Sequence, residues 1–298
     1  MRAQITAIRR DPAEAGQVEG SLHFGRDDKG KLIMKPKVLI FAGYGLNCDE
    51  ETKYAFETAG ANADIVHIND IITGSCQLEK YQILVFQGGF AYGDDTGAGN
   101  AYAQKVKNHL WEELLSFIQK DKLVVGICNG FQILVNLGLL PATGGKYGIK
   151  EAVLLHNDNA RYTVRWVDLA VENKSLWFLG ISTLSLPIAH GEGKFYAPKE
   201  VLKKMKNKKM IALRYIKGKM CRWLDLPANP NGSIDDIAAI TDETGKILGL
   251  MPHPERAQFF HQLPDWTTLR EKYQKSGKKI PVEGPGLAIF KNAVNHFL

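Results

Sequence analysis

The segment Val124-Val125-Gly126-Ile127-Cys128-Asn129-Gly130-Phe131-Gln132 carries an apolar run through a cysteine and into a second apolar stretch. Gly126 and Gly130 bracket Cys128 with the spacing of the G-x-S-x-G nucleophile elbow, sulfur replacing oxygen. A strand-to-helix turn of this kind lifts the side chain to the carboxyl edge of a sheet. It also sets the thiol beside a helix N-terminus, where the dipole favours thiolate and backbone N–H groups can hold an oxyanion. A lone cysteine at a strand end is most often a core residue. The paired glycines tilt Cys128 toward a nucleophile.

A thiolate nucleophile needs a proton carrier, and the carrier needs a group to hold it. His253, in Pro252-His253-Pro254-Glu255, stands 253 − 128 = 125 positions after the cysteine, its backbone restricted by a proline on each side. In an extended segment Glu255 shares the face of His253 and can accept from the imidazole. Alone, the motif reads as a turn histidine beside a solvated glutamate; with the elbow it completes a triad. The run Gln87-Gly88-Gly89-Phe90-Ala91-Tyr92-Gly93-Asp94-Asp95 adds adjacent glycines at a strand end, where the backbone can approach a ligand and aim an N–H at it. A metal site from His253, Glu255 and His261 would lack a helix-spaced histidine pair, so no metal is expected.

For these residues to meet, several strands must end along one edge. The apolar runs Lys37–Ala42, Ala63–His67, Ile83–Gln87 and Leu123–Ile127 read as buried parallel strands. A helix between the first two has Asn47 as its cap, Glu50 as the capping-box partner and Gly60 as its stop. Another spans Tyr102 to Gln119, where Val106, Leu110, Leu114 and Phe117 recur at helical spacing. The alternation predicts an α/β fold: a doubly wound, mostly parallel sheet flanked by helices. After Gly148 come closely spaced strands, Tyr162–Val171, Leu186–Ala189, Met210–Tyr215, Ile237–Thr241 and Ile247–Leu250, the last two joined as a hairpin. A helix from Gly286 to Phe297 closes the chain. Residues 1–34 are polar and Gly-rich, with a strand-like piece at Ser21–Phe24 and a turn at Arg26–Gly30, and read as an N-terminal extension. Residues 35–298 read as one domain.

Of the 298 residues, 45% are hydrophobic and 23% charged, which provides a core and excludes disordered, collagen-like and membrane-spanning classes. Met1 to Gly20 contains no apolar segment of the secretory type, so a cytoplasmic location is expected. Cys48, Cys76, Cys128 and Cys221 form no C-x-x-C pair, against zinc-finger and thioredoxin spacing and against a disulfide framework. The net charge of 38 − 32 = +6 is concentrated between Lys199 and Arg222, where ten basic residues meet one acid, Glu200. That stretch lacks interleaved aromatics and any nucleic-acid signature, so it reads as a solvated helix end and turn, with docking onto an acidic protein the next reading. Gly43-Tyr44-Gly45-Leu46-Asn47-Cys48 has Cys48 where the dinucleotide fingerprint needs its third glycine, and Gly144-Gly145-Lys146 is followed by Tyr147 rather than serine or threonine. Any ATP site must come from another chain.

Together, Gly126-Ile127-Cys128-Asn129-Gly130 with Gln132, Pro252-His253-Pro254-Glu255-Arg256, and Gly88-Gly89-Phe90 with Tyr92-Gly93-Asp94 resemble the class I glutamine amidotransferases, whose fold is flavodoxin-like. Within them the sequence resembles the glutaminase subunits and domains of phosphoribosylformylglycinamidine synthases. Ala189-His190-Gly191-Glu192-Gly193, the segment Asn157–Trp166 and Gly249-Leu250-Met251-Pro252 extend the match, which covers about Lys35 to Gln258 and resumes at the final helix. The resemblance implies that Cys128 attacks the side-chain amide of glutamine, that His253 moves protons, that Glu255 orients it, and that the N–H groups of Gly89 and Asn129 hold the oxyanion. It implies substrate contacts at Gln132, with Gly88, His190, Glu192 and Arg161 in contact or support. It further implies no cofactor in this chain, ATP and magnesium on a synthetase partner that receives the ammonia in purine biosynthesis, and room for a small accessory subunit; neither nucleic acid nor membrane is expected as a partner.

Ala91 departs from the serine usual after Gly-Gly-Phe, Thr96-Gly97-Ala98-Gly99 is closer to the large fused enzymes, and neither 1–34 nor an insertion at 259–285 belongs to the family pattern. Two other classes compete. A cysteine hydrolase or peptidase would use the elbow but does not expect Pro-His-Pro-Glu or His190-Gly191-Glu192. An idle interaction subunit has no need for thiol, imidazole and carboxylate at these places.

Overall fold

The computed structural model describes residues 24–26, 32–173, 175–223 and 225–298. The chain divides between Lys35 and Pro36. In the first unit β1 (Phe24–Arg26) and β2 (Leu32–Met34) pair antiparallel. The expected strand Ser21–Phe24 and the turn after Arg26 fall mostly outside the described residues.

Residues 36–298 are built on a nine-stranded sheet. Its first half comprises β3 (Lys37–Ala42), β4 (Asn62–His67), β5 (Ile83–Phe86) and β6 (Leu123–Ile127), ordered β4-β3-β5-β6 and parallel throughout. Every residue of β5 and β6 is buried, as expected of β-branched runs covered by helices on both faces. β7 (Val153–Leu155) lies apart and pairs with β10 (Lys194–Tyr196). The second half adds β8 (Thr163–Val171), β9 (Thr183–His190), β11 (Ile211–Ile216), β12 (Ile237–Thr241) and β13 (Ile247–Leu250). There β13 runs parallel to β6, and the order β13-β12-β11-β8-β9 is antiparallel. The α/β class holds, and the antiparallel strands are the closely spaced ones seen after Gly148.

The helices are α1 (Asp49–Thr58), α2 (Ile68–Ile72), α3 (Asn100–His109), α4 (Trp111–Ile118), α5 (Asn129–Asn136), α6 (Lys199–Asn207), α7 (Lys219–Trp223), α8 (Trp266–Lys275) and α9 (Leu287–Asn295). Three differ from the sequence reading. α1 starts after Cys48 rather than Asn47 and has no side-chain cap; the N–H groups of Asn47 and Cys48 both donate to the Gly88 carbonyl, at 3.0 and 3.2 Å. Three acids in its first turn complement the dipole instead. The helix expected over Tyr102–Gln119 is two, broken where Leu110 leaves helical φ at −131° and enters the core. The closing helix is a residue or two shorter at each end than expected. Strand β9 begins three residues before Leu186, because Thr183 and Ser185 lie on its more open face and interrupt the apolar run. Within residues 259–285, α8 has no buried residue. The lysine-rich segment is met by acids from other elements, with Lys206 on Asp235 and Lys208 on Glu243 at 2.5 Å each and Lys219 on Asp265.

α5 packs on β5, β6 and β13 and so fixes the elbow. The two elbow glycines are steric necessities. A Cβ on Gly126 would sit 2.5 Å from the Gly130 carbonyl oxygen, and one on Gly130 would sit 1.7 Å from that of Phe86. Gly130→Ala therefore forces strand and helix apart, and we expect it to cost about 3 kcal/mol or more. Urea denaturation measures this; a loss within ~0.5 kcal/mol, ordinary for surface changes, would contradict the packing.

Candidate active site

Cys128 occupies the turn between β6 and α5 with φ 51° and ψ −105°. Such a conformation is strained for a residue with a side chain, by roughly 1–3 kcal/mol, and it is what projects the sulfur above the sheet edge. The N–H of Cys128 donates to the Leu250 carbonyl at 2.8 Å, tying the elbow to β13, and Sγ lies 3.6 Å from the Ala189 carbonyl oxygen at the end of β9.

His253 and Glu255 follow directly from β13, the strand beside β6. The His253 N–H donates to the Pro187 carbonyl at 2.8 Å, so β9 anchors its backbone. Nδ1 lies 2.5 Å from Oε1 of Glu255, and both side chains are almost wholly buried. Nε2 has no hydrogen-bond partner among the described residues and is left for the Cys128 thiol, which faces the ring. Burial pushes the imidazole toward neutrality, but the Glu255 carboxylate and the Cys128 thiol oppose it and win, so the pKa of His253 stands well above the ordinary histidine value.

The glycines of the 88–89 loop take two positions. Gly89 lines the cavity above Cys128, where a Cβ would strike the Gly45 carbonyl and Leu46. Gly88 lies behind the cavity: a Cβ there would come within 2.9 Å of both His253 Cε1 and Cys48 Sγ. Of the proposed substrate contacts, Gln132, His190 and Glu192 line the cavity, joined by Phe90, Asp94, His156 and Tyr162. Arg161 is exposed and absent from the cavity wall; its backbone is what bonds, the carbonyl accepting from Asn157 at 2.9 Å and the N–H donating to Asn159 Oδ1 at 3.0 Å. Gly88 is absent from the cavity lining and supports the site from beside His253.

The wall is stiffened by hydrogen bonds. Asn129 Nδ2 donates to Gln132 Oε1 at 2.8 Å and to Asp94 Oδ1 at 3.1 Å, and its Oδ1 accepts from the Ala91 N–H at 3.0 Å. Gln132 Nε2 donates to the Glu192 carbonyl at 2.7 Å, so both ends of this amide are held by protein. Glu192 Oε2 accepts from the Ala98 N–H at 3.2 Å. Burial pushes the Asp94 carboxyl up, against hydrogen bonds from Asn129 and Gly99. His190 Nδ1 meets Asn157 Oδ1 at 3.1 Å, an oxygen that also accepts from the Gly193 N–H; Nδ1 is thus the donor. Burial, then the neighbouring His253, push His190 down to about 3, and it stays neutral.

The cavity holds about 230 Å³, several times the ~30 Å³ of a water molecule, and suits one small amino acid. Larger clefts, of about 520, 410 and 300 Å³, bring no thiol and histidine together. Cys48, His253 and Glu255 place one sulfur, nitrogen and oxygen within 4.8 Å, a zinc-like donor set. The Arg256 guanidinium donates to that same sulfur at 2.9 Å, and its charge opposes a cation there. The sequence gives Cys48 no role at the site, since it stands where the dinucleotide pattern needs a glycine and joins no C-x-x-C pair; its nearness to His253 is a product of folding.

A strained elbow cysteine, a buried histidine–glutamate pair and a glycine loop over a small cavity, all at the carboxyl edge of an α/β sheet, define a triad enzyme acting on a carbonyl. Residues 35–297 match the model of the CobB/CobQ-like glutamine amidotransferase domain. The chain is 47% identical over 268 residues to a phosphoribosylformylglycinamidine synthase subunit PurQ of Methanococcus maripaludis strain S2, covering 88% of this chain and 97% of that one. A PurQ subunit of Dehalococcoides mccartyi is 42% identical over 264 residues, covering 88% and 98%. The structure of PurLQS from Thermotoga maritima superposes with a TM-score of 0.64 at 28% identity, covering 89% of this chain and all of the matched one. The chain belongs to the glutamine amidotransferase family and, within it, to the phosphoribosylformylglycinamidine synthase PurQ subunits.

Proposed function

We propose that this chain is the glutaminase subunit of a phosphoribosylformylglycinamidine synthase: it hydrolyses glutamine to glutamate and ammonia and delivers the ammonia to the synthetase subunit for purine biosynthesis. The observation that carries this reading is Cys128 at a strained elbow facing the buried His253–Glu255 pair. Cys128 Sγ attacks the side-chain carbonyl carbon of glutamine while His253 takes the thiol proton. Negative charge collects on the carbonyl oxygen beneath the N–H groups of Gly89 and Asn129. His253 then returns the proton to the departing nitrogen, ammonia leaves, and a glutamyl thioester remains. Water, deprotonated by the same histidine, adds to the thioester and releases glutamate and the thiol. Asp94 and Glu192 give the cavity the negative charge that the α-ammonium of glutamine requires, and the rings of Phe90 and Tyr162, 5.9 Å apart, flank its mouth.

We propose further that ATP and magnesium belong to the synthetase. Among the described residues no helix is long and apolar enough to cross a membrane, and all four cysteines are free, which suits a reducing cytoplasm. The test is glutamate release by the purified chain, alone and with the synthetase, formylglycinamide ribonucleotide and ATP. We expect weak release alone and strong stimulation by the loaded partner. Silence in both conditions from folded protein would favour a scaffold.

A further inference from the structure

Cys48 is a second thiol at the triad, and the glutaminase chemistry has no use for it. It is almost fully buried and is absent from the cavity wall, so it does not meet glutamine. Its surroundings are nonetheless those of the catalytic pair. Sγ and the Cε1 edge of His253 both close on the bare Cα of Gly88, since one Cβ placed there would lie 2.9 Å from each. Arg256 Nη2 donates to Sγ at 2.9 Å, while Arg256 Nε stands 3.5 Å from Glu51 Oε1 and 3.9 Å from Glu255 Oε1. The thiol therefore fixes the guanidinium that flanks the carboxylate holding His253.

The backbone of the same residue supports the other half of the site. The N–H groups of Asn47 and Cys48 grip the Gly88 carbonyl, Leu46 forms a bridge with Gly89, and the Phe90 N–H donates to the Gly45 carbonyl at 2.9 Å. One turn thus touches the loop that would hold the oxyanion and, through one sulfur, the histidine that would move the proton.

We infer that Cys48 is a positioning residue for the reaction, seating His253 against Gly88 and holding Arg256 beside Glu255. The inference rests on the glutaminase reading. Its reach is set by geometry: displacing a catalytic group by about 1 Å costs on the order of 100-fold. The experiment compares wild type, Cys48→Ala and Cys48→Ser in the complex with the synthetase, following glutamate release and, separately, synthesis from free ammonium. We expect Cys48→Ala to lower kcat for glutamine at least about 10-fold with KM little changed, a partial return of kcat in Cys48→Ser, and unchanged synthesis from ammonium. Thermal melting should move by only a few degrees. Wild-type kcat in Cys48→Ala would overturn the inference and leave the glutaminase reading intact. So would a loss of kcat in both variants that tracks a large drop in melting temperature, since that marks a structural role. Wild-type protein that releases no glutamate would overturn the glutaminase reading, and the inference with it.

Discussion

Cys128→Ala is expected to abolish glutamine hydrolysis, lowering kcat by a factor on the order of 10⁵, while the complex continues to use free ammonium. Removal of a nucleophile from a triad costs this much because histidine and carboxylate have nothing to activate once it is gone. The substitution should hardly disturb the fold. The side chain loses one sulfur atom from a partly lined cavity, the backbone hydrogen bond to Leu250 is kept, and the stability change should stay near 1 kcal/mol. Steady-state glutamate release and ammonium-dependent synthesis, measured on one preparation, separate the two activities. Near-wild-type glutamate release would show that Cys128 is not the nucleophile and would overturn the triad assignment.

What was legible in the sequence was whatever the chain encodes locally. Gly126 and Gly130 around Cys128 announce an elbow because only glycine leaves room for the turn, and both glycines are in contact with backbone in the fold. The Pro-His-Pro-Glu run announces a histidine–carboxylate pair because alternation in an extended segment places positions two apart on one face. The strands β3, β5 and β6 were readable as apolar runs since both faces are covered. What escaped depends on distant partners. Arg161 reads as a substrate contact or a support within its segment, yet its side chain is exposed and its backbone makes the bonds, to Asn157 and Asn159. Cys48 and Arg256 are 256 − 48 = 208 positions apart, and no local pattern could place that guanidinium on that sulfur. The early start of β9 escaped for a related reason: its pairing with β8, and not its own composition, extends it.

Glu255→Gln keeps the volume of a fully buried side chain and removes its charge, so it isolates what the carboxylate does for His253. We expect kcat for glutamine to fall on the order of 10³-fold or more, as in other triads when the orienting carboxylate becomes an amide. The amide can offer its nitrogen to Nδ1 and so hold the ring in the wrong tautomer, and it cannot stabilise the imidazolium that forms as the thiol is deprotonated. The pH dependence carries a sign that follows from the same pair. Five groups face the imidazole or its partner: Glu255, Cys128, Cys48, Arg256 and His190. Burial opposes protonation, but the carboxylate and the thiols raise the pKa of His253, so protonation stabilises the folded chain. That contribution is complete below the ordinary histidine value of about 6.5 and is lost as pH rises through the raised folded value. In Glu255→Gln burial acts without the carboxylate, the folded value falls, and the contribution shrinks or reverses. The melting temperatures of the two proteins should therefore converge in alkaline buffer and separate as pH falls toward about 6.5. A gap that stayed constant with pH would show that Glu255 acts through packing alone.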